Sequence, residues 1–240
     1  MPNLGTIEAV ERAKAYPFRQ PECSYLFSHH REWLLEGHPD TWQLDLEDLT
    51  PVFGYGSNPS PVALTHKFAS LPDVEIPVIA FDLKDYDAVY SSHVSAGYVA
   101  AVLNPSPGTI LHGFMTYLNE EELDLMDSSE SRGENYERRY LPQAAGSFED
   151  GGTLEGVTTY VGLHGCLVLE GSTVAVDGTR ASGRRFPTKP QAEVLGRVIE
   201  QIAPGTESDN FIARTIASRE HRRTWTAALK ESELHSPGGV

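Results

Sequence analysis

The chain has little cysteine, a shortage of positive charge and no long apolar run, and each of these removes a class of protein. Cys23 and Cys166 are its only cysteines in 240 residues. Two are too few for a disulfide framework, and no CxxC spacing exists, so buried thiols in a reducing compartment are expected. No stretch approaches the ~20 apolar residues that a bilayer span needs. The first residues, Met1-Pro2-Asn3-Leu4-Gly5-Thr6, show no basic stretch leading into an apolar core, so no secretory signal is read there. Lys and Arg number 19 against 34 Asp and Glu, giving a formal net charge of −15. Such a balance opposes a generic nucleic-acid or anionic-membrane surface, because long-range repulsion would have to be overcome locally. The expectation is a cytoplasmic protein with neither nucleic acid nor membrane as a partner; the oligomeric state is not readable. The one local exception, Arg219-Glu220-His221-Arg222-Arg223, reads first as a solvated helix face.

Catalytic signatures are also scarce. Nine histidines are present, but none forms an HExxH set and no cysteine stands at a metal-site spacing from them, so neither metal nor cofactor is expected. There is no GxSxG elbow. Cys166 beside His164 is a sequence neighbour only, since nucleophile pairs are made in space.

What is present is a mixture of strand and helix patterns without strict βαβ alternation, which argues for an α+β fold. Three divisions are read: an N-terminal helical extension over 1–50, a core over 51–204, and a C-terminal helix with a frayed tail over 205–240. In the extension, Ile7 to Ala15 carries a helical period and Ser24 to Glu36 reads as a second helix, with a turn at Pro39-Asp40. In the core, Val52 to Tyr55 is strand-like and leads through Gly56-Ser57-Asn58-Pro59 to a short helix. Strands are expected at Ile76–Phe81, Asp87–Ser92, Tyr98–Leu103 and His112–Leu118, with a turn at Asn104 to Gly108. Asn119 caps a helix over Glu120 to Ser129. Further strands are read at Tyr136–Leu141 and Leu154–Val161, an amphipathic helix at Gln191–Ile202, and a last helix from Ser208 or Asp209.

Two segments have the residues for chemistry. Glycines at Phe53 to Asn58 let the backbone turn tightly and approach a ligand, and exposed amides there suit a small carboxylate. Pro59 stands where a dinucleotide loop needs glycine, and the lysine of a phosphate loop is missing. From spacing alone the segment reads first as an ordinary turn. The second is the acidic stretch Asp127 to Glu134. Glu130 gains interest only if it sits in a pocket, where desolvation suits a carboxyl to proton transfer.

Taken together, Val52-Phe53-Gly54-Tyr55-Gly56-Ser57-Asn58, Ala100 to Gly108, His112-Gly113-Phe114 through Asp127-Ser128-Ser129-Glu130, and Tyr136 fall in the order seen in the γ-glutamylcyclotransferase-like family. The resemblance covers roughly Pro51 to Leu141. It implies a small mixed β-barrel flanked by helices. It also implies that Tyr55, Gly56, Ser57 and Asn58 hold a γ-glutamyl head group through backbone amides, that Glu130 is the acid/base carboxylate, and that Tyr136 borders the pocket. The implied activity is cyclisation of a γ-glutamyl amide or amine to 5-oxoproline, with release of the attached amine. The partner implied is thus a small γ-glutamyl molecule. One departure stands out. Family members often carry a tyrosine shortly after a Pro-Ser near the last core helix, and here Phe186-Pro187-Thr188-Lys189-Pro190-Gln191 has none. A non-catalytic module of the same fold, binding a small carboxylate, is the alternative. A hydrolase pairing Glu130 with Asp127 or Glu134 ranks below it.

Overall fold

The computed structural model describes residues 4–35 and 42–240. Among these, the helices are α1 (Leu4–Lys14), α2 (Pro61–Lys67), α3 (Glu120–Ser129), α4 (Gln191–Ile202), α5 (Ser208–Ala217) and α6 (Arg219–Lys230). The strands in the first two-thirds are β1 (Tyr25–Ser28), β2 (Arg31–Leu34), β3 (Thr50–Gly54), β4 (Glu75–Val94), β5 (Val99–Leu118), β6 (Tyr136–Phe148) and β7 (Thr153–Gly162). Shorter ones follow: β8 (Cys166–Leu169), β9 (Ser172–Thr173), β10 (Ala175–Val176), β11 (Arg180–Ser182), β12 (Thr188–Lys189) and β13 (His235–Ser236).

Five strands close on themselves in the order β5-β3-β7-β6-β4 and back to β5. Four of the pairings are antiparallel, and β3 runs parallel to β7 at Phe53 and Thr159. The fold is α+β, a small mixed barrel flanked by helices. The Thr159 hydroxyl donates to the Phe53 carbonyl at 2.8 Å and reinforces the single parallel contact. Closure between β6 and β4 depends on Gly146, since a Cβ there would lie 2.3 Å from the Asp82 carbonyl oxygen. Alternating apolar residues fill the interior, among them Phe53, Phe81, Leu83, Leu103, Leu111 and Met115. A second apolar cluster packs α2 and α3 on the barrel through Leu64, Phe68, Leu118, Met126 and Tyr160.

Two long strands replace the four short ones expected. β4 and β5 each run 20 residues. The turn chemistry of Asn104 to Gly108 is spent on a bend inside β5, not on a reversal. Asp85 in β4 and Gly108 in β5 both take positive φ, and the Gly108 amide donates to the Asp85 carboxylate at 2.7 Å. Paired irregularities of this kind curve a ribbon so that a barrel can close.

The segment Ser24 to Glu36, expected as a helix, is a hairpin. His29 and His30 both adopt positive φ, as a two-residue primed turn requires, and β1 pairs with both β2 and β4. The physical reason is burial: Tyr25 and Phe27 are fully buried on the barrel side, a period-2 demand that overrode the helical reading. Glu36 and the Pro39-Asp40 turn lie outside the described residues. The last helix is two, α5 and α6. Ser218 breaks the first and caps the second, its hydroxyl accepting from the His221 amide. α1 packs on α5, with Lys14 pairing to Asp209 at 2.8 Å. α6 lies along β4, where the Val94 amide donates to the Thr226 hydroxyl at 3.1 Å.

Candidate active site

The ends of β3, α3 and β6 meet at a cleft of about 1220 Å³, and α1, α2, α6 and the end of β4 contribute to its walls. At the end of β3 the chain turns through Gly56, whose φ is +72°. A Cβ at Gly56 would come 3.0 Å from the Ala101 Cβ and 3.2 Å from the Tyr16 hydroxyl, so conformation and space both require glycine. The Gly56 carbonyl accepts from the Gln20 amide at 2.9 Å. The backbone amides of Gly56, Ser57 and Asn58 donate to no protein acceptor among the described residues. Ser57 lines the cleft. The Tyr55 ring does not: it is buried, and its hydroxyl donates to the Tyr160 carbonyl at 2.5 Å.

The carboxylate arrives from the other side. Asn119 caps α3 as expected from the sequence, and Glu122 completes a reciprocal capping box with it that fixes the start of the helix. Asp127 fixes its end. One Asp127 oxygen accepts from the Tyr160 hydroxyl at 2.6 Å and forms an ion pair with Arg138 at 3.2 Å, and the other accepts from Arg132 at 2.7 Å. With both oxygens taken by side chains of β6, β7 and the loop that joins α3 to β6, Asp127 anchors the helix. Glu130 then caps α3, and its amide bonds back to the Met126 carbonyl at 3.0 Å. Its side chain, 12% exposed, faces the cleft and pairs with Lys67 of α2.

Lys67 joins the two halves. Its ammonium donates to Asn58 Oδ1 at 3.0 Å, to Ser129 Oγ at 2.9 Å and to Glu130 Oε1. The turn and the carboxylate, 72 positions apart from Asn58 to Glu130, thus share one cation. Tyr136 also lines the cleft. Its hydroxyl donates to the Ala101 carbonyl at 2.7 Å while the Tyr16 hydroxyl accepts from the Ala101 amide, also at 2.7 Å. Two tyrosines therefore clamp both backbone groups of one β5 residue, Ala101, whose Cβ faces Gly56. Burial pushes both hydroxyls well above the ordinary range, and they stay protonated.

Several contributors were not singled out from the sequence. Lys67 is a lone lysine in Thr65-His66-Lys67, and no spacing links it to Glu130. Tyr16 comes from the N-terminal segment and stacks on Tyr98 with ring centres 4.2 Å apart. His93 is buried beneath the cleft, stacked on His164 at 5.0 Å, and burial lowers its pKa to about 3, so it is neutral at pH 7. The wall that the resemblance assigns to a tyrosine has Gln191, which is buried away from the cleft. In its better amide orientation it pairs with the Val99 backbone at 2.7 and 3.3 Å. Cys166 is also buried, and burial pushes its thiol up to about 11. Glu134, lowered to about 2 by hydrogen bonds from Arg223 and then Arg219, is held by both arginines. Both candidates for a second catalytic carboxylate, Asp127 and Glu134, are therefore taken up by arginines. The run Arg219 to Arg223 is exposed except for the half-exposed Arg222, in line with a solvated face, but its three arginines border the cleft.

No protein-family model and no curated protein matches the chain. Solved structures similar to it include one named gamma-glutamyl cyclotransferase. That likeness is 16% identical, covers 48% of this chain and 68% of the other, and has a TM-score of 0.40. A protein from Arabidopsis thaliana solved in solution is 23% identical over 50% of this chain and 72% of its own, at a TM-score of 0.38. An uncharacterised protein from Homo sapiens is 18% identical over 48% and 67%, at 0.40. About half of the chain is matched in each case, at scores too low to assign a function.

Proposed function

We propose that the cleft cyclises a γ-glutamyl amide or amine to 5-oxoproline and releases the attached amine, with Glu130 as general acid and base. The observation that carries this reading is the convergence at Lys67, which ties the 56–58 turn, with Ser57 in the cleft wall and its three backbone amides unengaged among the described residues, to a mostly buried carboxylate that faces the same cleft. The amides suit the α-carboxylate of the γ-glutamyl head and, with it bound, place the α-amine toward Glu130. The amine attacks the substrate's own γ-carbonyl carbon. A new C–N bond closes the five-membered lactam, and the old C–N bond to the leaving amine breaks. Glu130 takes in turn the two protons that the α-nitrogen loses, one before attack and one after, and passes them to the leaving nitrogen, which departs as an ammonium. Such proton transfer is worth about 10²–10⁴-fold. Holding nitrogen and carbonyl together supplies much of the remaining acceleration. No enzyme nucleophile is needed, in keeping with a Cys166 thiol that burial keeps protonated away from the cleft.

A second reading, binding without turnover, draws on one observation: Glu130 Oε1 is engaged by Lys67, which leaves a single oxygen for proton transfer. Incubation of the purified protein with a panel of γ-glutamyl amides, followed by mass spectrometry for 5-oxoproline, separates the two. The reading above requires product from at least one compound. Ligand-induced thermal stabilisation with no product from any of them would favour binding alone.

A further inference from the structure

Once each carboxylate in the cleft has its partner, cations are left over. The cleft draws seven of the chain's 19 Lys and Arg but three of its 34 Asp and Glu. Asp127 is held by Arg132 and Arg138, Glu130 by Lys67, and Glu134 by Arg219 and Arg223. Arg12 of α1 and Arg222 and Lys230 of α6 have no carboxylate partner among the described residues. In a chain with a net charge of −15 this is an inversion of local sign, and cations lining a concave wall focus attraction on an incoming anion.

The three face the same compartment as Glu130. Tyr98 sits in the cleft wall, and its hydroxyl feels Glu130, Arg12 and Arg222 together. Lys230 acts on His164, the ring stacked against His93. The cations thus line the walls supplied by α1 and α6, whereas the turn that would take the γ-glutamyl head closes β3. Only the departing half of the substrate remains for them.

We propose that Arg12, Arg222 and Lys230 bind the leaving half of the substrate, and that this half carries at least two negative charges, as carboxylates or a phosphate. The proposal rests on the cyclisation reading for what the leaving half is. It follows from charge balance: a leaving group with one carboxylate would leave most of this cluster uncompensated, and a cationic one would be repelled.

The test compares three substrates, γ-glutamyl-alanine amide, γ-glutamyl-glutamate and γ-glutamyl-O-phosphoserine. Each is given to wild type and to the triple variant Arg12→Gln/Arg222→Gln/Lys230→Gln. All three positions are exposed or half-exposed, so the core is not disturbed. The expected result is a kcat/KM preference of about tenfold or more for an anionic leaving group, the combined effect of a few half-exposed charge pairs. That preference should collapse toward unity in the triple variant and shrink with added salt. Whichever anionic substrate is faster distinguishes carboxylate from phosphate. Calorimetry with the free leaving amines, L-glutamate and O-phosphoserine against L-alaninamide, reads the subsite without turnover. Cyclisation with no anionic preference, or a preference that survives in the variant, overturns this proposal and leaves the reaction standing. Binding of the anionic amines that the variant loses, with no cyclisation of any compound, overturns the reaction and keeps the anion subsite. No binding and no preference sinks the subsite outright.

Discussion

The Lys67–Glu130 pair makes a prediction whose size can be worked from its surroundings. The two side chains are 14% and 12% exposed, so each charge has lost most of its water and depends on the other. Lys67→Met keeps the aliphatic stem and strands the Glu130 carboxylate in the cleft wall. Removing one partner of such a pair costs about 3–5 kcal/mol. Glu130→Gln is milder. The Lys67 ammonium keeps Asn58 Oδ1 at 3.0 Å and Ser129 Oγ at 2.9 Å as neutral acceptors, and the loss should be about 1–3 kcal/mol. The double variant carries neither charge, so its cost should fall short of the summed singles by about 0.5–3 kcal/mol, the range for residues in direct contact. Urea unfolding of the four proteins at pH 7 measures this, provided the slopes agree. Singles that add to within about 0.5 kcal/mol would refute the coupling, and with it the claim that Lys67 joins the turn to the carboxylate.

Three further outcomes follow from the same geometry. Gly56→Ala should cost about 1–3 kcal/mol, part from a left-handed φ and part from the 3.0 Å approach to Ala101. Gly151→Ala, with φ +88° and open space around it, reads the φ part alone, and equal losses at the two sites would show that the contact is unimportant. Tyr16→Phe removes the acceptor for the buried Ala101 amide and should lower stability by about 1–3 kcal/mol, seen as a drop in Tm; an unchanged Tm would contradict the clamp. For His93, burial holds the folded pKa near 3 against 6.5 when unfolded, so between those values the unfolded chain binds a proton that the folded one does not. Stability is therefore fullest above pH 6.5 and declines as pH falls toward 3, by up to ~1.4 kcal/mol per unit from this group. His93→Phe should flatten that slope in urea titrations across pH 4–6.5, and an unaltered slope would contradict the burial argument.

How much of this was legible beforehand varied with the range of the interaction. α3 was readable to the residue because Asn119 and Glu122 lie three positions apart and the cap is local. α4 was equally plain from its apolar face. The β1–β2 hairpin was not, because His29-His30 is no standard signal for a primed turn and the burial of Tyr25 and Phe27 against β4 is a tertiary fact. The bend in β5 looked like a reversal because Pro and Gly mark either one. At the site, Gly56 and Glu130 could be named from their segments. Lys67 lies 63 positions from Glu130 and Tyr16 lies 85 from Ala101, and no pattern in one chain records such meetings. The arginines of α6 were visible as a charge run, but which way they face was decided by how Ser218 breaks α5 from α6.

The central claim is that Glu130 moves the protons of a cyclisation set up by the 56–58 amides. The measurement that tests it most directly is 5-oxoproline formation by wild type and Glu130→Gln on the best γ-glutamyl substrate, with substrate binding followed in parallel by calorimetry. The account predicts a loss of about 10²-fold or more in kcat for the variant, with binding changed only modestly. A variant that still forms 5-oxoproline at near wild-type rate would contradict it and move the proton transfer to another group in the cleft.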